Sequence, residues 1–186
     1  MLAAKNAATN VQWGPYGTDI PDLPNITTVA ACYGDIDGYS NTHTVWAFDG
    51  YTANPADYPA FRAVADFNTT HAAPGNTTGW FMPSAGQLWD VLEHLGGVKA
   101  LADQRTNGDQ EWYGTDPGND ICASLNRWLA HVTDAAKFGD SYNWFWSSSE
   151  YSGDDARYWG VYSDGNVYCL WNRKSIYYDV RPVLAF

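Results

Sequence analysis

The chain holds 186 residues, 45% of them apolar and 16% aromatic, with ten tryptophans, only 17% charged residues and a formal net charge of −11. That apolar content offsets the entropy of ordering and excludes disorder, and the length fits one domain able to bury about 70% of its unfolded surface. The acidic balance argues against nucleic acid and against an anionic membrane surface, and no apolar run approaches the roughly 18 residues that span a bilayer.

Met1 to Lys5 lacks the apolar core of a signal peptide, which leaves an intracellular chain, a virion component or a piece of a longer exported protein. Residues 1–33 read as an extended, turn-rich segment, because Pro15, Pro21 and Pro24 forbid a long helix. Within it Ile26 to Tyr33 is expected to be a strand, Asp35-Ile36-Asp37-Gly38 a turn, and Thr44 to Phe48 a second strand. A first helix is predicted from Asp57 to Asn68, with Phe61, Val64 and Ala65 on one face. A second begins after Ser84, where Gln87 completes a capping box. Its Leu88, Val91, Leu92 and Leu95 form one stripe, and Gly96-Gly97 ends it. A polar loop, Gln104 to Asn119, leads to a third helix over Asp120 to Ala136, with Ile121, Leu125, Trp128, Leu129 and Val132 on its stripe.

Beyond Gly139 the pattern changes to strands. Trp144-Phe145-Trp146 opens one, Trp159 and Val161 alternate with Gly160 and Tyr162, and Ser163-Asp164-Gly165-Asn166 is a hairpin turn. The last strand is expected over Val180 to Phe186. Helices first and an antiparallel sheet last define an α+β layout.

The stretch Tyr151 to Asp179 has its own composition. It holds six of the chain's 13 tyrosines, with three serines, three glycines and two asparagines, and no Glu, Gln, Met, Pro or His. Tyr and Trp give contact area at low entropic cost, and Ser, Gly and Asn give adaptable hydrogen bonds, as in antibody combining sites. Enzyme sites show titratable groups at defined spacing instead. Strand alternation puts Trp159 and Val161 toward the core and leaves the opposite face free to change. Of the adjacent Tyr177 and Tyr178, one at least must point outward.

The order of Asp37-Gly38, Asn41-Thr42, Trp80-Phe81-Met82-Pro83-Ser84, Trp146-Ser147-Ser148-Ser149-Glu150, Trp159-Gly160-Val161, Gly165-Asn166-Val167, Lys174 and Val180-Arg181-Pro182-Val183 resembles the C-type-lectin-fold domains of gut Bacteroidetes and their phages. More narrowly it resembles the variable proteins of diversity-generating retroelements, the class of the phage major tropism determinant. The resemblance covers residues 34–186. It implies helices packed on a small antiparallel sheet with a variable region at 150–186, in which adenine-derived codons are mutated. The exchangeable, ligand-binding positions it implies are Tyr151, Gly153, Asp154, Asp155, Tyr158, Gly160, Tyr162, Ser163, Asp164, Tyr168, Leu170, Asn172, Ser175, Ile176, Tyr177 and Tyr178, with Cys169 also exchangeable. Trp171 cannot arise by that route: it needs a different template codon or is itself framework, and it is also a candidate binding anchor. Trp159, Val161, Gly165, Val167, Lys174 and the last strand would be framework.

The function this implies is non-enzymatic recognition of a protein or glycan on a target cell, in phage tropism or bacterial adhesion. The location would be extracellular, on a cell surface or on a virion. No cofactor and no metal is expected. Asp35, Asp37 and Asn41 match a calcium loop only in part and suit a turn. The alternatives are a catalytic domain like the formylglycine-generating enzymes, which needs converging cysteines, and a structural surface or tail module. Cys32, Cys122 and Cys169 lie far apart in sequence and read as small buried hydrophobes. Arg181, a buried charge in need of a partner, is expected to pair with Glu150.

Overall fold

A computed structural model describes residues 1–48, 57–139 and 142–186. Within them the layout is α+β. Strands β1 (Ala8–Gln12), β2 (Trp112–Thr115), β3 (Tyr142–Glu150), β4 (Asp155–Tyr162), β5 (Asn166–Arg173) and β6 (Tyr177–Val180) form one sheet in the order β1-β6-β3-β4-β5-β2. All neighbours are antiparallel except β3 and β6.

Both faces of the sheet carry a core. On one, Phe145, Trp159, Val161, Val167 and Cys169 pack against α1 (Val29–Gly34), α4 (Ala85–Asp90) and α5 (Ile121–Leu129). On the other, Trp146, Ala156, Tyr158, Leu170, Tyr178 and Val180 meet Trp13, Ile20 and Leu23, with α2 (Gly38–Phe48) and α3 (Pro59–Thr70) outside them. The Ser84–Gln87 capping box forms as expected, and the helix continues past α4 as a wider π turn over Val91–Leu95. The hairpin turn after Tyr162 also stands, with Gly165 at φ +90°.

Several elements differ from the sequence reading. Ile26 to Tyr33 is not a strand: the Thr28 hydroxyl accepts from Ala31 N–H at 3.1 Å and starts α1. Thr44 to Phe48 is helical, and the turn expected at Gly38 is the start of α2. Thr44, Val45 and Trp46 favour strand locally, but Gly38, Asn41, Thr42 and Val45 bury at helical spacing, and tertiary packing overrides propensity. A Cβ on Gly38 would lie 2.6 Å from Ser84 N and 2.8 Å from Met82 O, so α2 sits directly on the backbone ahead of α4.

The loop from Gln104 contains edge strand β2. Helix α5 stops at Leu129, seven residues short of the expected Ala136. Its inward stripe is Ile121, Cys122, Leu125 and Leu129, while Trp128 and Val132 are exposed. The last strand is Tyr177–Val180, not Val180–Phe186, because Pro182 has no N–H to donate; Val183 makes single bridges to Leu2 and Phe81 instead. The extended segment 1–33 is part of the body of the fold, since β1 pairs with β6 and Trp13 is fully buried.

The expected Arg181–Glu150 pair does not form. The Arg181 guanidinium donates to the carbonyls of Ala3, Ala4 and Ala136 and lies 4.6 Å from the Phe138 ring centre, with burial pulling its pKa down to about 10. Glu150 pairs with Lys174, both side chains 0% exposed. Ile20 N–H donates to the second Glu150 oxygen, and Lys174 also donates to Thr18 O at 2.6 Å. The Lys174 ammonium sits 4.9 Å from the Trp13 ring centre. Removing one partner strands the other charge in the interior. Glu150→Ala is expected to cost about 3–5 kcal/mol in chemical denaturation, against about 1 kcal/mol for Ser84→Ala at the cap.

Burial pushes the carboxyls of Asp35, Asp179 and Glu150 above their ordinary range, partly offset by donors at each. A carboxyl raised in the fold contributes stability that is complete below its unfolded value and lost as pH rises through its folded value. Thermal unfolding should therefore occur at a higher midpoint near about pH 5 than near about pH 8, and Asp35→Asn should flatten that dependence.

Candidate ligand-binding surface

The helical layer on the second face covers only part of the sheet. Toward the β4–β5 turn no described element covers that face, and its side chains are aromatic. Register explains why: Tyr142 opposes Tyr162, Trp144 opposes Gly160, Gly160 opposes Tyr168, and Tyr168 opposes Tyr113. Directly opposed residues point to the same side. Four adjacent strands thus contribute Tyr113, Tyr168, Tyr162, Tyr142 and Trp144 to one shelf.

The rings touch in sequence across it. Centroid separations are 5.1 Å for Tyr113–Tyr168, 5.0 Å for Tyr168–Tyr162, 5.6 Å for Tyr162–Tyr142 and 5.9 Å for Tyr142–Trp144. The Trp144 indole N–H donates to the Tyr162 hydroxyl at 3.0 Å, which fixes both rings. Trp144 also meets Tyr178 at 5.3 Å, so the shelf continues the second core outward. Tyr142 is 68% exposed, Tyr113 60% and Trp144 40%.

Gly160 is the floor. A Cβ there would lie 3.3 Å from Trp144 Cδ1 and Tyr168 Cδ2, and 3.4 Å from Tyr162 Cε2. Its value is the space it leaves among three rings. Two exposed carboxylates flank the shelf: Glu111 accepts from the Tyr113 hydroxyl, and Asp164 lies near Tyr168. Burial first, then Glu111 at Tyr113 and Tyr162 with Asp164 at Tyr168, push these two phenols above their ordinary value.

The expected site residues divide into three groups. Gly160, Tyr162 and Tyr168 belong to the shelf, with Ser163 and Asp164 in the adjoining turn. Tyr151, Gly153, Asp154, Asp155, Trp171, Asn172, Ser175, Ile176 and Tyr177 gather at the other end of the hairpin, where Tyr151 stacks on Trp171 at 4.8 Å. Tyr177 and Ile176 are exposed there. The third group is a correction: Tyr158, Leu170 and Tyr178, with Cys169, are buried. They sit where helices or the N-terminal segment cover the sheet, so they cannot form a freely exchangeable surface. Gly160 is itself covered by its three neighbouring rings, and Trp159, Val161 and Val167 are buried as framework.

Sequence reasoning missed Tyr113, Tyr142 and Trp144. The alternation Tyr142-x-Trp144-x-Trp146 places all three on one face and was the available signal. Tyr113 stood in a stretch read as loop and left none.

Asp35 and Asn41 do come together, but around protein donors: Asp35 accepts from the Ser149 hydroxyl, Asn41 Nδ2 and Asp37 N–H. Among the described residues no group of three or more His, Cys, Asp or Glu side chains is placed to hold a metal. Cys32 and Cys169, distant in sequence, hydrogen-bond to each other, yet both lie in the first core at 0% and 1% exposure. Cys122 is buried separately and accepts from Asn143 Nδ2.

No family model matches the chain, and no curated protein matches it. Among solved structures it is similar to a fimbrial protein from Bacteroides ovatus, at 24% identity and a TM-score of 0.55, over 81% of this chain and 25% of that one. The chain thus spans a quarter of that protein's length, and the likeness is one of fold. Among the described residues, no helix is long and apolar enough to cross a membrane.

Gly160→Leu should fill the floor of the shelf while leaving the framework folded. The expected result is an altered near-ultraviolet aromatic dichroism signal with a stability loss of about 1–3 kcal/mol in chemical denaturation.

Proposed function

We propose that the chain is a non-enzymatic binding module of C-type-lectin type, displayed on a cell, fimbrial or virion surface, and that the aromatic shelf is where it meets its ligand. One observation carries this reading: five aromatic side chains from four strands share a part of the sheet that no other described element covers, beside a stretch of the same face that is buried. Contiguous exposed apolar surface marks recognition sites, and Tyr and Trp are the residues that most often dominate binding energy. Ring contacts and the Trp144–Tyr162 hydrogen bond hold the shelf in place before a ligand arrives, which lowers the ordering cost of association. The name of the fimbrial neighbour agrees with display at a surface.

In this reading the ligand is a protein or glycan on a target cell, and the role is bacterial adhesion or phage tropism. Exchange by a retroelement would act on Tyr162, Ser163, Asp164 and Tyr168 at the shelf, and on Tyr151, Gly153, Asp154, Asp155, Asn172, Ser175, Ile176 and Tyr177 at the other end. Tyr113, Tyr142 and Trp144 lie outside the variable stretch and would be the constant half of the shelf.

Beads carrying many copies of the protein test this by avidity. Retention on a panel of bacterial and epithelial surfaces should fall at least about tenfold with Tyr142→Ala plus Trp144→Ala. It should be unchanged with Trp128→Ala, which alters an exposed tryptophan beside a different cleft of about 450 Å³. Equal losses from both changes would remove the shelf as the ligand face.

A further inference from the structure

The shelf has a charge character of its own. Its walls are the faces and edges of electron-rich rings, and its rim carries the carboxylates of Glu111 and Asp164. The arginines and Lys174 are engaged elsewhere. Each of the chain's six arginines has a different position. Arg157 donates to Ile26 O and Gln110 O inside the protein, and Arg181 donates to three carbonyls. Arg62 pairs with Asp66, Arg105 with Glu93, Arg127 donates to Ser124, and Arg173 lies over Tyr16. Lys174 is consumed by Glu150.

A π-faced surface with an acidic rim attracts cations by the ring quadrupole and by Coulomb forces together. A second copy of this chain would bring another net charge of −11 and is disfavoured. An anionic glycan is disfavoured for the same reason. A neutral sugar would use the rings but gain nothing from the two carboxylates.

Resting on the reading of the shelf as the ligand face, we infer that its occupant is a protein segment presenting arginine or lysine side chains, whose cationic heads lie over Trp144, Tyr162 and Tyr168 beside Glu111 and Asp164. Specificity then comes from matching cation spacing to the strand spacing of the rings. Tyr162, Ser163, Asp164 and Tyr168 set that spacing, while Tyr142 and Trp144 supply the fixed anchor.

The test uses the whole chain and three short blocked peptides that alternate glycine with arginine, with lysine, or with citrulline (the uncharged isostere of arginine), plus a neutral maltooligosaccharide. Binding is followed by NMR at the Trp144 indole and Gly160 amide. The arginine peptide should bind at least about tenfold more tightly than the citrulline peptide. That advantage should disappear with Tyr142→Ala plus Trp144→Ala, which leaves net charge unaltered, and should shrink with Glu111→Gln. Tyr142→Ala alone, at the most exposed ring, repeats the test if the double variant misfolds. If the citrulline peptide or the sugar binds at the shelf equally well, the inference falls and the shelf remains the ligand face. If the arginine peptide binds the double variant as it binds the parent, the attraction is general to an acidic protein and the inference falls. If no probe moves the shelf resonances, the inference falls, and the bead assay decides separately whether the shelf is the ligand face at all.

Discussion

A β-sheet with apolar residues on both faces must be covered on both, or the uncovered part stays wet and adhesive. Here one face is covered along the sheet and the other over only part of it. Trp146, Tyr158, Leu170 and Tyr178 are shielded by α2, α3 and the N-terminal segment. One or two rungs further along the same strands, Trp144, Gly160, Tyr162 and Tyr168 project past that cover. Core and shelf are therefore a single aromatic surface, divided by where a layer ends. The Trp144–Tyr178 contact at 5.3 Å crosses that divide.

Covering the second face at all depends on pinning a segment with little regular structure across it. The Trp13 indole donates to Ser147 O at 2.8 Å, Ile26 N–H donates to Glu150 O at 2.8 Å, and Lys174 reaches Thr18 O. The buried Glu150–Lys174 pair stands at the centre of these bonds. The run Ser147-Ser148-Ser149 supplies small polar side chains just where β3 becomes irregular: Ser147 donates to Arg157 O, Ser149 to Asp35, and Ser148 accepts from Asn41. Every one of these groups finds its partner inside the protein, as buried polar groups must.

Local signals were enough to place α3, α4, the start of α5 and the β4–β5 hairpin, because each is written in contiguous residues. Ser84 and Gln87 cap α4 whatever surrounds them. The errors share one cause. Thr44-Val45-Trp46 prefers strand until Thr42 and Val45 are drawn into the core, and Ile26 to Tyr33 reads as strand until Thr28 caps it. The second core was invisible for the same reason. Alternation in β4 correctly put Trp159 and Val161 inward, but it gave no sign that Tyr158 also meets a covering layer. Half of the candidate site was readable as composition in residues 151–179. The other half, Tyr113, Tyr142 and Trp144, depends on strand register across the sheet, which single-chain periodicity does not encode.

The position of the Glu150–Lys174 pair along the chain has a further consequence. These two residues stand just outside the stretch that contains β4, β5 and their turn, so an ionic latch joins the two ends of that stretch. Mutational drift between the two posts, at sites that face water, leaves the latch and both interiors untouched. A chain built this way is a natural chassis for grafting: new recognition residues placed at the water-facing positions between Glu150 and Lys174 leave Trp159, Val161, Val167 and Leu170 to hold the two cores.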